Sequence, residues 1–211
     1  MIEARFVSER LKLAGCGPLY CPVSAVELQA QILGPVEAGI YVYAVARWTV
    51  SGAREIERLD YLVRRLDGKR IDGEQAESLV NIAGLEGKDW LGAMNSLDHA
   101  LVADVLDECR TELEARFRAF SEAQARENRD RVNMMVNTLQ HHLDQKRQTL
   151  NSRINDFQRF GTDRQRRIIP ALSGQLNKLQ QRIETKIKEL RLKEKTTAQD
   201  SLVSGGVIRV I

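Results

Sequence analysis

The sequence predicts an α+β protein, mostly helical: a small antiparallel sheet base carrying a long antiparallel helical hairpin of coiled-coil type. Three observations predict it. Gly and Pro recur throughout residues 1–95, which marks short elements joined by turns. Neither residue occurs between Ser96 and Phe160, where apolar side chains recur at threes and fours. The closing "SLVSGGVIRVI" then reverts to β-branched character. The expected organisation is a base over 1–95, an arm over 96–200 and a terminal strand over 201–211 that returns to the base.

In "VSAVELQAQIL", Val26, Leu28, Ile32 and Leu33 fall near helical spacing, Ser24 offers an N-cap and Gly34-Pro35 a stop, so a helix is expected. "GIYVYAVARWTV" is the clearest strand. Ile40, Val42, Ala44, Ala46, Trp48 and Val50 share one face, and Tyr41, Tyr43, Val45, Arg47 and Thr49 the other. Ser51-Gly52 offers a turn, and Asp67-Gly68 is a dipeptide favoured in tight hairpins. Between them, the helical spacing of Ile56, Leu59, Leu62, Val63 and Leu66 competes with a strand over Leu59 to Leu66. The strand is favoured because neighbours of a strong strand usually pair with it. A short helix over Glu74 to Ala83 completes the base.

From Ser96 to Phe160 the chain reads as one helix, with an apolar stripe through Leu97, Leu101, Val105, Cys109, Leu113, Phe117 and Phe120. The stripe continues through Val132, Val136, Leu139, Leu143, Leu150, Ile154 and Phe157. Such a rod measures about 100 Å at 1.5 Å per residue. A base of radius about 13 Å cannot cover its stripe, so a second helix is required. After Gly161, Thr162 or Asp163 can cap one with the stripe Ile169, Leu172, Leu176, Leu179, Ile183, Ile187 and Leu190. Pro170 lacks a backbone donor and either kinks that helix or marks its true start.

Charge is distributed unevenly around a net +3. Residues 121–195 hold 17 Lys and Arg against 9 Asp and Glu, a local excess of +8, while the remainder carries −5. Such asymmetry points to an anionic partner, although a basic face also keeps a coiled coil soluble. The longest apolar run, "GIYVYAV" and Ala46, is too short for the roughly 20 residues of a membrane span. "MIEARFVSERLKLAG" lacks the apolar stretch of a secretion signal, so a cytoplasmic protein is expected.

Few residues fit a catalytic pattern. Cys16, Cys21 and Cys109 are odd in number and read as reduced thiols rather than a disulfide framework. His141 and His142, adjacent on a helix, diverge by about 100° and do not make a ligand pair. "GLEGKDW" lacks the spacing and the hydroxyl of a phosphate-binding loop. No metal or cofactor is expected. What remains is a basic cluster at the bend "GTDRQRRIIP": Arg159, Arg164, Arg166 and Arg167, extended by Lys178 and Arg182. It reads either as a contact for phosphates or a protein partner, or as a solvated polar face.

The order "GIYVYAVARWTV", "YLVRRLDGKRI", long charged helices and "SGGVIRVI" resembles the region after the motor in bacterial RNA-polymerase-associated Swi/Snf-type ATPases of the RapA or HepA type. The resemblance spans about Pro22 to Ile211. It implies a non-catalytic accessory module of a nucleic-acid translocase, with a Swi/Snf-type motor, DNA or RNA polymerase as partners. In that family ATP hydrolysis belongs to the motor. No Walker-type loop occurs in these residues, so the chain is expected to be no ATPase and to be a fragment, split subunit or remnant of a larger frame. The alternative is a structural coiled coil whose stripe drives self-association. An enzyme built on the Cys16 and Cys21 loop or the His141 region ranks last.

Overall fold

A computed structural model describes residues 23–30 and 36–211. Five strands form one sheet: β1 (Val23–Leu28), β2 (Gly39–Ser51), β3 (Glu55–Arg65), β4 (Lys88–Asp89) and β5 (Thr197–Val210), in the order β3-β2-β5-β1-β4. The helices are α1 (Gly73–Glu86), α2 (Ala93–Ser96), α3 (His99–Phe160), α4 (Asp163–Arg166) and α5 (Ile169–Leu192). The protein is thus α+β and mostly helical, as its sequence pattern implies. No helix among the described residues is long and apolar enough to cross a membrane.

The chain forms two compact units. The first comprises the described residues up to Thr49, together with Ile56–Phe120 and Ala198–Ile211; the second comprises Val50–Glu55 and Ser121–Thr197. Helix α3 contributes to both, its portion up to Phe120 belonging with the sheet.

In the first unit, β2 is buried on both faces, which explains its unbroken apolar run. Tyr41, Tyr43 and Val45 pack with Tyr61, Val63 and Ile208 under Ala76, Leu79 and Ala83 of α1. The alternate residues Val42, Ala44, Ala46 and Trp48 pack with Leu62 under Val105, Cys109 and Leu113 of α3. The two-residue alternation in β2 therefore feeds two cores, one under each helix. Trp48 also stacks against Phe117 and Phe120, with ring centroids 5.9 and 5.3 Å away.

Two expectations are corrected here. The helix expected from Ser24 is strand β1 over Val23–Leu28, while residues 31–35 lie outside the described residues. Six consecutive residues of β1 pair with β5, from Val23 opposite Gly205 to Leu28 opposite Val210, and this long-range pairing overrides the local spacing. That pairing is parallel, so the sheet is mixed rather than antiparallel throughout. β4 pairs antiparallel with β1. Along β2 and β5 the bonds Tyr43–Ser204 and Ser201–Arg47 run in opposite senses, as antiparallel neighbours require.

Other boundaries move only slightly. β3 begins at Glu55 rather than Leu59, and β5 at Thr197 rather than Ser201. The long helix begins at His99, because Leu97 adopts extended backbone and Asp98 Oδ1 caps the helix by accepting from the amides of Ala100 and Leu101. The strand returning to the sheet is present as expected, and it is central, between β2 and β1.

In the second unit α3 and α5 form the antiparallel hairpin. Leu139 and His142 of α3 line one groove with Lys178, Leu179, Arg182 and Ile183 of α5. Arg191 near the end of α5 donates to Asn133 Oδ1 at 2.7 Å. Val132, Val136, Leu172 and Ile183 are buried along the seam, and the rest of both stripes is half-buried. Asn128, 9 % exposed, ties this unit together. Its Oδ1 accepts from the Ala53 amide at 2.8 Å, and its Nδ2 donates to the carbonyls of Lys193 and Glu194, each at 2.9 Å.

Candidate nucleic-acid interface

The bend between α3 and α5 is built by three local devices. The Gly161 amide donates to the Phe157 carbonyl at 3.1 Å, and a Cβ on Gly161 would overlap that same carbonyl, so only glycine closes α3 in this way. Thr162 is the residue that caps α4: its backbone amide donates to Gln165 Oε1 at 2.9 Å. Pro170 falls in the first turn of α5, where its missing donor has no partner to lose, so it marks the helix start and makes no kink. The bend is therefore hydrogen-bonded from residue to residue, through Arg166 to Thr162, Arg167 to Asp163, Ile168 to Gln165 and Leu172 to Ile168.

This bend presents Arg159, Arg164, Arg166 and Arg167, all exposed. Lys178 and Arg182 are exposed too but lie elsewhere, one turn apart on α5, beside the groove that holds His142. The six therefore divide into four at the tip and two on the flank. The basic excess read over residues 121–195 includes Lys146, Arg147 and Arg153 of α3, which the sequence reading did not single out as site residues. From residue 145 to 183 the chain carries nine Lys and Arg against only Asp156 and Asp163, a net +7.

None of these nine forms an ion pair among the described residues; the ion pairs of the second unit lie outside this span. One has another use, for the Arg153 guanidinium lies 5.4 Å from the centre of the Phe157 ring. The first unit treats its arginines differently. Arg64 pairs with Glu108 at 2.9 Å and Glu112 at 2.8 Å, Arg70 with Glu112 at 2.9 Å, and Arg116 with Asp60 at 3.1 Å and Glu112 at 2.8 Å. Burial pushes the Glu112 carboxyl up, but the three guanidiniums together outweigh it and hold it below the ordinary carboxylate value. These arginines of the first unit are neutralised by carboxylates of their own unit, whereas the nine cations of residues 145–183 form no ion pair among the described residues.

No family model, curated protein or solved structure matches this chain. The site must be read from its own chemistry. Among the described residues no three His, Cys, Asp or Glu side chains cluster as metal ligands. His141 Nε2 meets Gln145 at 3.0 Å, and His142 faces the groove. Cys109 is fully buried under the sheet, and burial pushes its thiol up to about 11, which leaves it protonated and unreactive at neutral pH. Cys16 and Cys21 lie outside the described residues.

Proposed function

We propose that this protein is a non-catalytic accessory module that contacts nucleic acid through the far end of its helical hairpin, as the regulatory region of a Swi/Snf-type translocase would. One observation carries the reading: a span of net +7 whose nine cations form no ion pair among the described residues. Keeping like charges together costs free energy unless counterions or a ligand neutralise them. A polyanion of regular phosphate spacing is the ligand that such a field attracts most strongly, through counterion release. Arg159, Arg164, Arg166 and Arg167 make the principal contact, with Lys178 and Arg182 on the flank. The reading assigns no bond-breaking step, cofactor or ATP hydrolysis to this chain; a separate motor or polymerase supplies the chemistry.

The test is fluorescence anisotropy with a labelled DNA duplex across a salt series. If the four tip arginines each meet a phosphate, log K falls with log salt at a slope of about −4 or steeper. Replacing all four by Gln flattens that slope. Equal binding by wild type and the fourfold variant, or no binding even at low salt, refutes the reading.

A further inference from the structure

Phe160 is 85 % exposed, although it ends a helix whose other phenylalanines are partly buried. Phe117 and Phe120 pack with Trp48, and Phe157 lies half-buried near the Arg153 guanidinium. An uncovered phenyl ring forgoes the favourable transfer from water that a buried one gains. Nothing in the second unit covers it. The ring is nevertheless anchored on ordered backbone, between the Gly161–Phe157 hydrogen bond and the Thr162–Gln165 cap. Arg159 precedes it, and Arg164, Arg166 and Arg167 follow within seven residues, joined by Ile168, itself 42 % exposed.

We infer that Phe160 stacks on one unpaired base, so that the tip recognises the junction where a duplex opens into single strand. The inference rests on the nucleic-acid reading above and adds the form of nucleic acid preferred. An exposed π-face whose neighbours along the chain carry four guanidiniums matches a base with its flanking phosphates. The interior of a closed duplex offers no free base face. Proteins that track single strands offer several successive aromatic platforms, whereas this tip offers one. The cations continue from Arg159 back to Lys146, about 20 Å of helix, which suits the phosphates of an adjoining duplex.

The experiment measures anisotropy for three labelled DNAs: a duplex closed at both ends by hairpin loops, the same duplex with single-stranded arms, and a single strand alone. Wild type is expected to bind the forked duplex about tenfold more tightly than the closed one, the scale of one stacked base. Phe160→Ala should reduce fork affinity to the closed-duplex level and leave the salt slope unchanged, while Phe160→Trp retains the preference. Because the side chain is exposed, the Ala variant should keep its circular dichroism and melting temperature. Equal affinity of wild type for fork and closed duplex, strongest binding to the single strand, or a preference that survives Phe160→Ala overturns the inference while the nucleic-acid reading stands. Failure to bind any of the three overturns both. A parallel arm uses vesicles containing phosphatidylserine; Phe160-dependent binding there, with no fork preference, assigns the ring to a membrane surface and also overturns the inference.

Discussion

Asn128 satisfies three backbone groups from two distant segments, and its amide sits where a Cβ on Gly52 would collide with it, so size and polarity are both fixed at this position. Asn128→Ala strands the Ala53 amide and two carbonyls, and should lower stability by about 1–3 kcal/mol in urea unfolding. Leu, similar in volume but without polar atoms, should not rescue it. Cys109 makes a second residue-scale prediction. Its folded thiol titrates near 11, above the value of an unfolded chain, so the folded state holds a proton that the unfolded state releases as pH rises. Stability should therefore fall from about pH 8.5 upward until the folded thiol itself ionises. Cys109→Ala should show a smaller loss than wild type between pH 8 and 10. The burial of Cys109 was legible from its place in the apolar stripe; the role of Asn128 was not, because it sits in a run of charged residues that any exposed helix could carry, and its partners lie 65 to 75 positions away.

At the scale of elements, the hairpin was legible because its signal is local and long. A stripe repeated over sixty residues without Gly or Pro admits one reading, and the bend after Phe160 announced itself through Gly161, Thr162 and Pro170. β1 was not, because six residues of mixed spacing fit either element and the decision lies with β5, some 180 positions later. The polar start of β5, "TAQD", likewise carries no strand pattern of its own. Three substitutions probe the hairpin. Ile183→Ala removes a seam side chain that is 5 % exposed and should cost about 2–5 kcal/mol, whereas Lys178→Ala, exposed on the same helix, should stay within about 0.5 kcal/mol. Gly161→Ala forces the Phe157 carbonyl aside and should destabilise the tip by about 1–3 kcal/mol. Thermal melts of the three variants separate these outcomes.

For the whole molecule, the basic field was visible in composition, but its lack of partners was not. Whether an arginine is neutralised depends on which carboxylates the fold brings within 4 Å: Arg64 meets Glu108 and Glu112 across 44 and 48 positions, and Arg167 meets none among the described residues. The exposure of Phe160 is hidden for the same reason. Oligomeric state separates the accessory-module reading from the self-associating alternative. Each chain already buries Val132, Val136, Leu172 and Ile183 within its own hairpin, so light scattering should return the mass of one chain at every concentration tested. A mass that rises with concentration would favour the bundle.

The position of β5 governs how the chain can mature. Its neighbours β1 and β2 are translated early, yet the strand that joins them arrives only after the ribosome has made the entire α3–α5 excursion. Until then the nascent polypeptide carries two unsealed strand edges, the kind of surface that chaperones shield and that aggregation exploits. A stop codon after residue 196 should thus yield an insoluble product rather than a shortened but folded one.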